Sequence, residues 1–227
     1  MTNDVPTFRA FALSRHRLMF DGEGVTTLVG GYGCPLACRY CINGVCTDPS
    51  FRPKIYTVPS LYDAVKIDSL YFEATGGGVT FGGGEPLLQA PFLAAFIRYA
   101  KEQGVPWRFN LETSLAVPPA LFDALIPEGI AEADCPVDAF IADIKDMDPA
   151  IYERYTKRPQ DAMRRNLGRL AALCPDRVTA RVPLIPGYNT AADGDRSEEI
   201  LRGMGFARIE RFTYIIERKK TLPETHD

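Results

Sequence analysis

Gly33-Cys34-Pro35-Leu36-Ala37-Cys38-Arg39-Tyr40-Cys41 packs three of the chain's six cysteines into eight residues, in the spacing C-x3-C-x2-C. The run follows a β-prone stretch at 25–29, so the thiols are expected on a loop at the carboxyl end of a strand. A cubane iron–sulfur cluster has four irons and usually takes cysteine thiolates as ligands; three cysteines leave one iron open to another molecule. A second reading adds Cys46 as the fourth thiolate of a tetrahedral zinc site. Zinc knots, however, usually pair their cysteines across a dozen or more residues. Structural thiols without a metal are the third reading, and clustered thiols in a reducing compartment favour it least.

Around this loop, apolar β-rich runs alternate with helical segments. Strands are expected at 25–29, 79–81, 107–111, 137–144, 178–184 and 207–214. The clearest helix spans 91–104: Pro91 stands in its first turn, Phe92, Ala95, Phe96, Tyr99 and Ala100 share a face, and Gly104 ends it. Asp148-Pro149 reads as a cap and first helical residue, with the apolar face continued by Met163, Leu167, Leu170 and Ala171. Ser60 and Asp63 after Pro59 open a further helix whose apolar periodicity looks poor. Alternating β and α units predict an α/β fold, a partial (β/α)6 TIM barrel, with functional loops at the carboxyl ends of its strands.

A length of 227 residues with 46% hydrophobic content suits one sizeable core. A single domain over 1–227 is expected, with 1–23 a segment preceding the first barrel strand. The net charge of -3 offers no basic field for a nucleic-acid backbone, so nucleic acid is not expected as a partner. Arg9, Arg15 and Arg17 are not followed by the apolar stretch of a secretory signal, and no apolar run approaches the roughly 20 residues that span a bilayer. A soluble, cytoplasmic protein with no membrane partner is the expectation.

A second motif is the glycine run. Gly76-Gly77-Gly78 leads into Val79-Thr80-Phe81, which is followed by Gly82-Gly83-Gly84-Glu85-Pro86. Glycines let a backbone approach a ligand closely, and a neighbouring carboxylate suits an ammonium group. A phosphate loop would need a Gly-Lys-Ser or Gly-Lys-Thr ending that is absent. A purely structural turn is the remaining alternative.

The cysteine spacing, with aromatic Tyr40 just before the last cysteine, resembles the radical S-adenosylmethionine (SAM) superfamily. The resemblance implies a [4Fe-4S] cluster on Cys34, Cys38 and Cys41, with SAM on the open iron, and places Gly83, Gly84 and Glu85 against SAM's amino group. Several further stretches resemble the activating enzymes of glycyl-radical enzymes, such as the pyruvate formate-lyase type. They are Asp21-Gly22-Glu23-Gly24, Gly77 through Gln89, Asp143-Ile144-Lys145, and Arg181-Val182-Pro183-Leu184-Ile185-Pro186-Gly187. That resemblance implies a glycyl-radical enzyme as partner and a flavodoxin- or ferredoxin-type electron donor. It also gives Glu112 and Lys145 a part in positioning SAM's methionyl end, with Asp143 joining Glu112 around a small cation. One cluster is expected, because residues 42–75 hold only Cys46.

Ordinary roles stand beside these: an exposed surface lysine for Lys145, and solvated or internally paired acids for Glu112 and Asp143. Arg181 is read first as an internal ion pair. Ile42-Asn43-Gly44 replaces the activases' usual His-Asn-Pro, and Phe212-Thr213-Tyr214-Ile215 replaces a stretch that often brings a histidine to SAM. A small-molecule radical SAM enzyme, similar to the deazaguanine-forming synthases, and a non-catalytic iron–sulfur or zinc module are the competing functions.

Overall fold

The computed structural model describes residues 6–18 and 20–214. Its strands are β1 (Phe8–Leu18), β2 (Val25–Gly31), β3 (Lys54–Tyr56), β4 (Gly78–Gly83), β5 (Arg108–Thr113), β6 (Ala139–Asp143), β7 (Val178–Leu184) and β8 (Arg208–Thr213). The helices are α1 (Val58–Lys66), α2 (Ser69–Thr75), α3 (Ala90–Glu102), α4 (Pro119–Leu125), α5 (Pro149–Thr156), α6 (Asp161–Leu173) and α7 (Ala191–Gly203). One sheet runs in the order β3-β1-β2-β4-β5-β6-β7-β8. From β2 through β8 its neighbours are parallel, giving the six barrel strands that alternation predicts. Among the described residues β8 pairs only with β7, so the six strands form an arc and not a closed ring.

Three expectations change. The segment 1–23 is more than a lead-in: its described part holds β1, eleven residues long, paired antiparallel to both β2 and β3. Helix α1 starts earlier than Ser60, on a Thr57 cap with a reciprocal Thr57–Ser60 capping box. Its buried residues Val58, Leu61, Tyr62 and Val65 follow the i, i+3, i+4, i+7 pattern, so the apolar face is regular once the start is placed correctly. The helical stretch after Asp148 is two helices, because Lys157 adopts a left-handed φ of 62° and ends α5. Asp148 does cap α5, accepting from the N–H groups of Ala150 and Ile151. Ile215 and the rest of 215–227, like residues 1–5, lie outside the described residues.

Period-two alternation divides each barrel strand. Val79, Phe81, Phe109, Leu111, Phe140, Ala142, Val178, Ala180 and Val182 are buried in one hydrophobic cluster with Phe92, Phe96, Phe122, Met163 and Leu170 of the helices. Phe96 of α3 meets Phe81 at 5.5 Å and Phe109 at 6.3 Å, both edge to face. The intervening residues are largely polar: Thr80, Asn110, Glu112, Asp143, Thr179 and Arg181. The loop after β1 crosses this inner face at its amino-terminal end. Thr80 Oγ1 donates to the Asp21 carbonyl at 2.5 Å and Asn110 Nδ2 reaches the same oxygen at 3.3 Å. Arg181 Nη2 donates to the Phe20 carbonyl at 2.6 Å. Thr80→Val, nearly isosteric, is expected to lower unfolding free energy by about 1–2 kcal/mol in urea denaturation, the usual size for a buried hydrogen bond removed from one side.

Candidate functional site

The cysteine loop leaves β2 at Gly31 and is anchored from three directions. Ala37 N–H donates to the Thr156 carbonyl at the end of α5, at 2.9 Å, and Arg158 Nε donates to the Pro35 carbonyl at 3.0 Å. Asn43 Nδ2 donates to the Gly83 carbonyl at 2.8 Å, and Gly33 N–H to the Cys46 carbonyl at 2.8 Å. Cys41 N–H closes a turn on the Cys38 carbonyl at 3.2 Å. All three motif cysteines are free thiols; Cys34 and Cys38 are half-buried and Cys41 is exposed. Burial pushes the Cys34 thiol up to about 12 and the Cys38 thiol to about 11. Loading this loop with iron therefore displaces protons.

Cys46 is buried in a short 3-10 turn, Gly44–Thr47, and its own thiol is pushed up to about 11 by burial. Among the described residues, no three cysteine, histidine or acidic side chains gather closely enough to chelate one metal ion. A zinc site needs four ligands around one centre, whereas a cubane takes each thiolate at a different iron. Three cysteines on one loop are the donor set of a cubane with one iron left open.

The glycine run is interlocked with this loop. Gly84 N–H donates to the Gly31 carbonyl at 3.1 Å and Glu85 N–H to the Gly33 carbonyl at 2.8 Å. A Cβ on Gly84 would collide with those two carbonyl oxygens, and Gly83, at a φ of 88°, has Phe11 and Gly30 where its Cβ would stand. The glycines are thus required by backbone packing inside the chain.

Glu85 turns its carboxylate into the fold. It is fully buried, and its carboxylate accepts from Thr113 Oγ1 at 2.6 Å, Ser114 N–H at 2.9 Å, Ser114 Oγ at 2.6 Å and Leu87 N–H at 3.2 Å. Burial raises its pKa against the pull of these donors. With four donors on its two oxygens, the side chain joins the end of β4 to the end of β5.

Lys145 is no surface lysine. It sits just beyond β6 at a φ of 65°, almost fully buried, paired with Asp143 and donating to Tyr214 Oη at 2.9 Å. Burial pulls its pKa down, but the Asp143 carboxylate, with Tyr214 and Cys38 nearby, overcomes this and holds it well above the ordinary lysine value. Asp143 Oδ1 is buried without a hydrogen-bond partner. That orphan acceptor beside an ammonium and the cysteine loop is the kind of group a polar ligand would satisfy.

Glu112 and Asp143, read from the sequence as a cation pair, each have a basic partner. Glu112 Oε1 meets Arg181 Nη1 at 3.0 Å, and Arg181 Nε meets Glu210 Oε2 at 3.0 Å, so each acid is matched by a base. Arg181 forms the internal pairs read from its strand position. Burial raises the Glu112 pKa, only partly offset by Arg181. Tyr40, half-buried, packs edge-on to Tyr188 at 6.0 Å and near Tyr155 at 6.3 Å.

Sequence reasoning missed Tyr214, Thr113, Ser114 and Asn43. Their partners lie 28 to 69 residues away, and no local pattern marks them. A strand ending in two hydroxyl residues next to the glycine-glutamate turn was the one available hint for Thr113 and Ser114.

Comparison with known proteins adds three findings. A family model described as the radical SAM superfamily matches residues 28–193. The chain is 35% identical over 156 residues to the (2S)-3-sulfopropanediol dehydratase activating enzyme of Klebsiella oxytoca, covering 67% of this chain and 46% of that protein. It is 32% identical over 173 residues to the pyruvate formate-lyase-activating enzyme of Staphylococcus aureus, covering 76% and 67%. The matched region thus spans less than half the length of the Klebsiella relative. Among solved structures, Streptococcus suis SuiB has a TM-score of 0.60 at 10% identity over 83% of this chain and 39% of its own. Native anSMEcpe with bound AdoMet and Kp18Cys peptide has 0.56 at 16% identity, over 87% and 54%. These two likenesses are of fold.

Glu85→Ala is expected to lower metal-free stability by about 2–4 kcal/mol, read by thermal unfolding, since four buried donors lose their acceptor. A direct ligand contact would instead weaken SAM binding and leave metal-free stability unchanged. Alkali should also destabilise the fold. Lys145 is raised well above its ordinary value and Tyr214, chiefly by burial, to about 12. The folded chain therefore keeps protons that the unfolded chain loses above about pH 10. Urea midpoints should fall from about pH 9 to 11, with a shallower slope in the Lys145→Met, Tyr214→Phe double variant.

Proposed function

The chain belongs to the radical SAM superfamily, and on that premise we propose that it is an iron–sulfur enzyme that activates a glycyl-radical enzyme by removing hydrogen from a glycine Cα. The observation that carries this reading is the loop of three free thiols, clamped between β2, β4 and α5 at the carboxyl end of the parallel strands. Cys34, Cys38 and Cys41 would hold three irons of a [4Fe-4S] cluster. The chemistry supplied by cluster and SAM together is reductive cleavage of the sulfonium to methionine and a 5′-deoxyadenosyl radical.

The chain's own residues orient and enclose. Lys145, fixed between Asp143 and Tyr214, presents a permanent positive charge for a carboxylate. Asp143 Oδ1 is left to accept from an ammonium group. Glu112 is steadied by Arg181 through one oxygen. Thiols and charges sit on strand-anchored elements, which is what holding a reacting carbon at fixed distance requires. What supports a protein substrate is the pair of relatives named as activating enzymes and the arc, which among the described residues is unclosed, with a largely exposed last strand. An open side admits a polypeptide loop that an enclosed cavity would refuse.

Anaerobically reconstituted protein should contain about four irons and four sulfides per chain and consume SAM once reduced. Cys34→Ala should abolish SAM cleavage and Cys174→Ala should leave it intact; equal loss in both would contradict the assignment. Electron paramagnetic resonance of reduced protein, SAM and a candidate glycyl-radical enzyme should give a glycine-centred doublet on the partner. Turnover of SAM only with a small metabolite would overturn the activase reading while keeping the family chemistry.

A further inference from the structure

Cys135 and Cys174 take no part in the site above, yet the topology brings them together. Cys135 stands four residues before β6 (135 to 139) and Cys174 four residues before β7 (174 to 178). Those strands are parallel neighbours with Phe140 beside Val178. The two cysteines stand on the segments that lead into that strand pair, Cys135 just after a 3-10 turn (Glu132–Asp134) and Cys174 just after the end of α6. Arg177 ties the two segments. Its backbone N–H donates to the Cys174 carbonyl at 3.0 Å, its Nη1 to the Val137 carbonyl at 3.4 Å, and its Nε pairs with Glu132 at 3.3 Å. The same Val137 carbonyl accepts from Cys135 Sγ at 3.5 Å, so the guanidinium flanks that thiol.

Both thiols are free and buried. Proximity to Cys174, with Arg177 nearby, lowers the Cys135 thiol from its ordinary range against the effect of burial, and proximity to Cys135 together with burial holds Cys174 up. Solvent comes close: a cavity of about 450 Å3 at the amino-terminal mouth of the arc is lined by Asp138, Asp176 and Arg177, each within three residues of one cysteine. The pair therefore combines a thiolate-forming cysteine, a proton-holding neighbour, a flanking cation and a nearby opening.

We propose that Cys135 and Cys174 are a peroxide-oxidisable dithiol, Cys135 attacking and Cys174 resolving, whose disulfide staples the amino-terminal approaches of β6 and β7. The Cys135 thiolate attacks one peroxide oxygen, the O–O bond breaks, and hydroxide leaves, giving a sulfenic acid. The Cys174 sulfur then attacks the sulfenic sulfur; its proton and the departing hydroxyl form water. Two thiols are oxidised by two electrons and one peroxide is reduced to two waters. None of this uses the cluster loop, so it stands or falls apart from the activase reading.

The test treats the anaerobically purified full-length chain with hydrogen peroxide at a dose that consumes glutathione in a parallel sample, blocks remaining thiols, and maps tryptic peptides. Peptides 109–145 and 170–177 should appear joined, with free thiol at both sites reduced to about a tenth and restored by dithiothreitol. In Cys174→Ala the reaction should stop at a dimedone-trappable sulfenic acid on Cys135. In Cys135→Ala, Cys174 should remain a thiol. Both thiols intact at that dose, or Cys174 oxidised first, would overturn the proposal. Should either variant fold poorly, the map of the unmutated chain alone decides.

Discussion

The backbone interlock between the cysteine loop and the end of β4 is the constraint on which the rest of the site depends. Two N–H groups, of Gly84 and Glu85, reach the carbonyls of Gly31 and Gly33, and no side chain can stand between them. The contact is locked from behind by the Glu85 carboxylate, buried and saturated by donors at the end of β5. Three strand ends are thereby held in one rigid group. A loop carrying three thiols has many conformations of its own, and this lock removes most of them before any metal arrives.

A second network shapes the space those thiols face. A closed barrel normally fills its interior with apolar layers. Here the inner face carries Glu112, Asp143 and Arg181, with Lys145 at its rim, paired across strands β5 to β8. Such pairs are weakly stabilising at best when partly buried, and they leave one carboxylate oxygen of Asp143 without a partner. Among the described residues the arrangement gives up stability for a polar lumen, as a site for a charged cofactor requires.

Much of this was legible in the chain. The C-x3-C-x2-C spacing, the βα alternation and the six parallel strands could be read because each depends on residues close in sequence and on periods of two or 3.6. Strand β1 was not legible, since its arginines and small residues break the alternation and only pairing with β2 and β3 makes it a strand. Helix α1 looked irregular only because its start was misplaced by the preference for Ser60 over Thr57. The Glu85 carboxylate was assigned outward because a glutamate after glycines is a plausible ligand group, and nothing local reveals the hydroxyls of Thr113 and Ser114 waiting behind it.

What the sequence by itself determined is chemistry and order: which atoms can bind iron, which segments are strands, and that the thiols follow the first parallel one. Tertiary structure alone decided which charges neutralise each other and which are left over. It buried Glu85 among donors, matched Arg181 to Glu112 and Glu210, and set Tyr214 against Lys145 from 69 residues away. Electrostatic partnership depends on distance in space and on the water excluded there, and neither quantity exists until the strands are laid side by side.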